Sequence, residues 1–385
     1  MNDGQTLTIE AGTVIRAKTG QGSLASALIV ARGGRIIAQG ERDRPIVFTV
    51  EGDDLQGSIP VMSRGLWGGV IILGNAVINT ETGEDMIEGI PISEPRGIYG
   101  GMDDNDNSGI ISYVSIRHGG TNIGEGNEIN GLTLGGVGRQ TTIDHVEVIS
   151  NADDGIEFFG GDVNCKNLCV AFCGDDAFDM DQGYHGKGQF WLSINSPDSD
   201  QAAEISGGIK PFPALPGYTP LVYNATMIGD SAQTGSSLIH FLDYGRAYLG
   251  NSIFLEPGKG AGIKFSEKAG DSYDAFLAGR IQLDHNIFYP QDSSPGLFTY
   301  SELGKNLLAQ NSLISDSMQA WSTSYDDPGI WFGENPSLLP PETVSEKQAP
   351  YAGEWFDEVT YKGAFGSRDW IGNWTLLDQY LEGRE

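Results

Sequence analysis

The chain has 385 residues, 55 of them glycine, and a formal net charge of −29 at pH 7. This acidic balance argues against binding to nucleic acid or to anionic membranes, because both require clustered lysine and arginine. No apolar run approaches the roughly 20 residues of a membrane-spanning helix, so we expect no membrane insertion.

The first third of the chain predicts short strands separated by glycine turns. Apolar runs occur at residues 7–9, 14–15, 27–30, 35–37, 45–48 and 69–73, and glycines punctuate them. Several short strands in each turn of a solenoid are typical of a three-sided parallel β-helix. Residues 80–107 are polar, glycine-rich and acidic, and we interpret them as a loop excursion over one face.

Two acidic segments in the middle of the chain repeat each other, at residues 151–161 (NADDGIEFFGG) and 174–181 (GDDAFDMD). A third copy follows at 201–205, and an uncharged one precedes them at 130–136. Repeats of this length indicate a solenoid. Within each copy the apolar residues alternate, which predicts one outward-facing column of side chains. That column consists of Thr133, Glu157, Asp179 and Glu204.

Carboxylates stacked in this way repel one another, by about 1 kcal/mol in water at the roughly 4.8 Å spacing of neighbouring strands. Three explanations remain open: a bound cation, a catalytic acid that keeps its proton, or a solvated structural ladder. Calcium is the leading hypothesis, because Ca²⁺ takes six to eight oxygen ligands. The candidate ligands are Asp153, Asp154, Glu157, Asp175, Asp176 and Asp179.

A catalytic role would make the protein a glycoside hydrolase or a polysaccharide lyase. In a hydrolase one carboxylic acid protonates the leaving oxygen while the other activates water or attacks. Asp154 and Asp176 would form this pair, with His185 modulating them. A lyase would need a base and a charge neutraliser, for which His185, Lys187 and Lys210 are the nearest candidates.

Three further features concern structure. Cys165, Cys169 and Cys173 are predicted to be free thiols, because their spacing suits neither a disulfide nor a zinc site. An asparagine precedes each of four later strands, and we expect their amides to stack and bond one another. These are Asn224, Asn251, Asn286 and Asn311. Residues 1–325 should form the solenoid, and the aromatic-rich residues 326–385 an irregular C-terminal cap on its open end.

Five segments spread along the chain resemble a widespread group of secreted β-helix proteins of Gram-negative bacteria. They are residues 7–15 (LTIEAGTVI), 26–34 (SALIVARGG), 127–138 (NEINGLTLGGVG), 153–161 (DDGIEFFGG) and 361–366 (YKGAFG). The resemblance implies an extracellular, all-β right-handed parallel β-helix. The start of the chain does not read as a signal peptide, and we expect processing to have removed an export signal.

A weaker similarity links the chain to the polygalacturonases, which are β-helix hydrolases. Asn151-Ala-Asp153 and Asp175-Asp176 match two of their motifs at a fitting interval. His185 follows Asp176 by only nine residues, and Gly262 replaces the arginine of the last motif, so the substrate clamp of that family is not reproduced.

These observations predict a secreted or cell-surface β-helix with an acidic, calcium-binding face that binds or cleaves polysaccharide. The alternative is a non-enzymatic extracellular structural or adhesion module in which the acidic ladder serves stability.

Overall fold

The computed structural model describes residues 1–124, 127–208, 215–230, 237–256, 262–266, 272–290, 312–313, 348–366 and 369–383. These residues form a parallel β-helix with few helices, which confirms the predicted fold class. None of the described helices is long and apolar enough to span a membrane.

The strands in chain order are β1 (Thr6–Ile9), β2 (Val14–Ala17), β3 (Leu28–Val30), β4 (Arg35–Gln39), β5 (Ile46–Val50), β6 (Val70–Leu73), β7 (Glu84–Met86), β8 (Ile98–Gly100), β9 (Gly109–Arg117), β10 (Thr121–Gly124), β11 (Asn127–Ile129), β12 (Leu132–Gly135), β13 (Thr142–Ile149), β14 (Ile156–Phe159), β15 (Asn164–Ala171), β16 (Phe178–Asp181), β17 (Lys187–Ile194), β18 (Ala203–Ser206), β19 (Leu221–Tyr223), β20 (Thr226–Ile228), β21 (Ile239–Leu242), β22 (Ala247–Gly250), β23 (Ile253–Glu256), β24 (Ile263–Phe265), β25 (Ile281–Asp284), β26 (Ile287–Pro290) and β27 (Ser312–Leu313). The described residues also include two short helices, α1 (Ser272–Leu277) and α2 (Leu376–Leu381), and 3-10 turns at Gly22–Leu24 and Pro95–Gly97.

Within the described residues, one wall of the β-helix is a parallel sheet of eight short strands in the order β24-β21-β18-β16-β14-β12-β6-β3. Its inward residues alternate along each strand and enter the main core, as Ile156 and Phe158 do on β14. The same alternation turns the intervening residues outward. We call this wall the acidic sheet.

The opposite walls form one large sheet whose rungs bend at a single residue. Residues with positive φ interrupt β9, β13, β15 and β17, and the later rungs continue the series. This bend column consists of Tyr113, His145, Asn167, Phe190, Asn224, Asn251 and His285. Left-handed backbone costs energy for residues other than glycine, and asparagine and histidine tolerate it better than most. The repeated bend keeps successive rungs in phase.

The asparagine residues bond differently from the expected amide ladder. The Asn251 side chain donates to Ala349 O (3.0 Å) and accepts from Ala349 N (2.7 Å), and Asn224 Nδ2 donates to Tyr361 O (2.9 Å). Asn286 bonds Ser252 N and Leu249 O. Asn224 and Asn251 therefore hold the C-terminal segment instead of each other, while Asn311 lies outside the described residues.

The described C-terminal residues, 348–366 and 369–383, lie along the side of the helix. Phe365, Trp370, Trp374 and Leu377 pack on outward apolar residues of the large sheet, among them Ile194. These residues thus cover a side wall, and the rest of the predicted end cap, residues 326–347, lies outside the described residues. An apolar surface has to be covered whether it lies at the end of a β-helix or on its side wall.

Buried Glu147 fixes the far end of this segment. Its Oε2 and Oε1 accept the backbone N–H groups of Leu376 and Leu377, each at 2.9 Å, at the start of α2. Ser115 Oγ also donates to Glu147, and Arg117 Nε donates to Ser115 Oγ at 2.7 Å. A charged network inside the protein therefore anchors the segment.

Two other predictions concern the interior and the excursion. Cys165, Cys169 and Cys173 are free and buried, as expected. Within residues 80–107, β7 and β8 form a hairpin. Ile87 and Tyr99 pack over the outer face of the acidic sheet. This hairpin brings further carboxylates to that face.

Candidate functional site

The acidic column of the sequence analysis exists in the structure. Thr133 pairs with Glu157, Glu157 with Asp179, and Asp179 with Glu204, all in parallel register. This confirms the predicted alignment. The column continues with His240 and Lys264, which the sequence analysis did not include. His240 Nδ1 lies 3.3 Å from Glu204 Oε2, so a basic end follows the acidic part.

A second file of side chains at the turn before these strands ties the rungs together. Asp154 Oδ1 accepts the N–H of Asp176 (2.9 Å), and Asp176 Oδ1 accepts the N–H of Gln201 (2.5 Å). Gln201 Oε1 in turn accepts the N–H of Ser237 (3.1 Å). Asp154 and Asp176 are 8% and 5% exposed. Asp154 and Asp176 therefore each bind the next rung through Oδ1, and this bond does not use Oδ2.

Three carboxylates meet where the two files face each other. One oxygen from each of Asp154, Glu157 and Asp179 lies within 4.8 Å of the others. We call this group the oxygen cluster. Asn130 Nδ2 donates to Glu157 and, at 3.1 Å, to Glu88 of the excursion. Asp179 Oδ1, within the cluster, and Asn130 Oδ1, on the residue that donates to Glu157, are buried and accept no hydrogen bond from the described residues.

The electrostatics of the oxygen cluster are unfavourable for three negative charges. Burial, followed by the charges of neighbouring acids, raises the pKa of Asp154, Glu157 and Asp179 well above the usual range. In the described part of the chain, no lysine, arginine or histidine forms an ion pair with these three residues. The repulsion is relieved only by retained protons or by a cation.

Asp153 and Asp175 lie at the rim of the cluster, and each can approach Asp154 with an oxygen within 4.8 Å. Burial and the charge of Asp175 raise the pKa of Asp153 to about 8. Asp175 is exposed as a residue, yet enclosure of its carboxyl group and the charges of Asp200 and Glu204 raise its pKa to about 6. The two rim acids therefore differ in protonation near neutral pH.

His185 does not join Asp154 and Asp176, which corrects the expected modulating role. Its Nε2 lies 3.7 Å from Asp104 Oδ2, and its ring stacks on Tyr218 with centroids 4.0 Å apart. The side chain is only 12% exposed. The reason is that β16 carries the chain across the sheet between Asp176 and His185. Lys187 belongs to the large sheet, and Lys210 lies outside the described residues.

Sequence reasoning missed Glu88 and Asn130 as members of this site. Asn130 had a detectable signal, because it occupies the position of Asp154 in the uncharged repeat one rung earlier. Glu88 had none, since only the folding of the excursion over the acidic sheet brings it to Asn130 and Glu157.

Comparison with known proteins identifies the fold family. A family model described as a pectate-lyase like beta helix domain matches residues 1–300. No curated protein and no solved structure matches the chain. A domain of this kind suggests a function related to polysaccharides, and such domains are commonly extracellular.

Proposed function

The chain belongs to the pectate-lyase-like β-helix family, and we propose that it is a secreted protein whose acidic sheet binds Ca²⁺ and, with it, polysaccharide. The oxygen cluster carries this proposal. Its three carboxylates are brought together by the register of the sheet, and no cationic side chain of the described residues pairs with them.

The donor set fits calcium. Ca²⁺ is a hard cation that prefers carboxylate and amide oxygens. Asp154, Glu157 and Asp179 would supply carboxylate oxygens, and the unpartnered Oδ1 of Asn130 would supply a neutral one. Asp153 and Asp175 stand at the rim of the same site. A bound ion would offset the repulsion and offer its remaining coordination positions to sugar oxygens.

A metal titration tests the proposal. Protein freed of metal should bind Ca²⁺ in calorimetry and melt at a higher temperature when Ca²⁺ is added. The variant Glu157→Gln should lose both responses, whereas Asp198→Asn, an exposed acid outside the oxygen cluster, should keep them. Binding to an acidic polysaccharide should disappear with a chelator. Equal behaviour with and without Ca²⁺ would refute the calcium site and leave the structural or adhesion role.

Cleavage of the polysaccharide is the second candidate, and the rim acids favour it. Pairs of carboxyl groups whose pKa values are pushed apart serve as acid and base in glycoside hydrolysis. With a pKa of about 8, Asp153 would hold a proton at pH 7, and Asp175, with a pKa of about 6, would be ionised. This pair replaces Asp154 and Asp176, whose carboxylates bind the rungs together.

The cleavage proposal makes a kinetic prediction. Turnover of a susceptible glycan should follow a bell-shaped pH profile between the two pKa values, and Asp153→Asn or Asp175→Asn should abolish it while the protein stays folded. Undiminished turnover in either variant would exclude that residue, and an absence of turnover on a broad glycan panel would leave binding alone.

A further inference from the structure

A cleft of about 490 Å³ lies between the bend column and the C-terminal segment, away from the acidic sheet. Its volume is within the range of about 300 to 1,000 Å³ typical of small-molecule sites. One wall belongs to the β-helix and the other to the C-terminal segment. The lining residues that matter below are Tyr113, His145, Asn167, Phe190, Tyr361 and Trp370.

The helix wall repeats along the axis. Tyr113, His145, Asn167 and Phe190 occupy the bend position of four successive rungs. With rungs roughly 4.8 Å apart, this wall is about 14 Å long. The Tyr113 ring stacks on His145 with centroids 4.3 Å apart. The cleft is therefore elongated, and aromatic side chains line both of its walls.

The charged groups around the cleft are already engaged. Arg42 donates to the backbone oxygens of Gly372 (3.0 Å) and Asp369 (2.8 Å). Lys166 Nζ lies 2.9 Å from Asp357 Oδ2. Backbone oxygens therefore hold Arg42 and Asp357 holds Lys166, so both cations near the cleft are already engaged in the described residues.

Two neutral polar groups on the helix wall have no such partner. Neither the side-chain amide of Asn167 nor the hydroxyl of Tyr113 forms a hydrogen bond within the described residues. Both residues are half-buried and line the cleft. An amide offers two donors and an acceptor, and a phenol offers one of each.

We propose that this cleft binds a short neutral saccharide. A sugar ring has apolar C–H faces that pack on aromatic rings and hydroxyls that bond planar polar groups. The cleft combines both kinds of partner. A charged saccharide is disfavoured, because an acidic sugar would meet Asp357 and Asp369 and a cationic one would meet Arg42. The site goes beyond the proposed calcium site, since it lies on another wall and contains none of the cluster acids.

The test measures binding of neutral oligosaccharides by saturation-transfer NMR and by quenching of tryptophan fluorescence, in the presence of a chelator. Val359→Trp should fill the cleft and abolish binding, since Val359 lines it and is half-buried. Glu358→Trp adds the same ring at the exposed neighbouring position and should bind normally. Asn167→Gly keeps the left-handed backbone and should weaken binding about tenfold, as expected for one lost hydrogen bond.

Each outcome of these binding experiments either supports or overturns the saccharide site in the cleft. Binding that survives chelation and Glu157→Gln but disappears in Val359→Trp supports the cleft. Neutral saccharide binding that requires Ca²⁺ and is unchanged in Val359→Trp overturns the cleft while supporting the acidic sheet. If no neutral saccharide binds, or if only an apolar dye binds, the inference is overturned. Equal melting curves for Val359→Trp and Glu358→Trp show that the variant is folded.

Discussion

Replacing Asp179 with asparagine should stabilise the protein without divalent cations and weaken its response to Ca²⁺. Asp179 stands in register between Glu157 and Glu204. At a strand spacing of roughly 4.8 Å and an effective dielectric constant of about 20, one ionised pair repels by about 3.5 kcal/mol. Retained protons relieve part of this, so we expect a gain of about 2 kcal/mol, or roughly 2 to 3 °C in melting temperature for a chain of 385 residues.

The stability that Asp179→Asn gains over the native protein should increase with pH. Because the pKa of Asp179 is raised in the folded protein, the folded state holds a proton that the unfolded state has released above its ordinary pKa near 4. The contribution of Asp179 to stability is therefore fully present below its unfolded pKa and is lost as pH rises toward the raised pKa. The neutral amide of the variant removes this contribution. The advantage of Asp179→Asn should consequently be small near pH 5 and larger near pH 8.

Calcium should reverse the order of the two proteins. A ligand at about 100 times its dissociation constant stabilises the folded state by about 2.7 kcal/mol. The native sequence should gain this amount, and the variant less, because it lacks one carboxylate ligand. Circular dichroism melting curves at several pH values, with chelator and with excess Ca²⁺, measure both effects, and Asp198→Asn is the control. Should Asp179→Asn be less stable than the native protein in chelator at every pH, the account of a repulsive cluster is wrong.

Three further predictions concern the fold. Glu147→Gln should cost about 2 to 4 kcal/mol and expose the C-terminal segment to limited proteolysis, because an amide cannot accept both N–H groups of α2; uncleaved segment under native conditions would contradict this. Asn251→Gly keeps the positive φ but loses two bonds to Ala349, so urea unfolding should show a loss of about 1 to 3 kcal/mol. Burial raises the pKa of Cys173 to about 12, and a thiol reagent should label it only as fast as the protein unfolds.

The acidic register was predictable from the sequence because it depends on one local quantity, the phase of alternation within each repeat. Residues 22 apart, such as Glu157 and Asp179, fall on neighbouring strands when both copies share that phase. The same rule places Asp154 beside Asp176. No distant segment is needed to fix these positions.

The other parts of the site depend on segments that are distant in sequence, and no local sequence pattern indicates them. Glu88 reaches Asn130 only because the excursion folds over the acidic sheet. The C-terminal segment is rich in aromatic residues, as expected of a segment that covers apolar surface. Composition alone does not say whether that surface is the open end or the side wall of the β-helix. The pattern predicts that Asn224 and Asn251 bond each other in an amide ladder, yet Asn251 bonds the backbone of Ala349 in that segment. Asn224 donates to Tyr361 O and accepts from the side chains of Gln189 and Tyr351. His185 follows Asp176 by only nine residues, but β16 lies between them and separates their side chains.

The turn ladder offers an internal comparison that bears on the purpose of the acids. Gln201 Oε1 accepts the N–H of Ser237 in the next rung just as Asp154 and Asp176 accept theirs, and Gln201 carries no charge. A neutral side chain is therefore sufficient to join the rungs. The carboxyl groups of Asp154 and Asp176 add repulsion whenever they ionise, and they make no bond to the next rung that an amide could not make. Selection for the fold alone does not account for them, and this excess of charge, located beside Glu157 and Asp179, is the strongest physical reason to look for a cation at this wall.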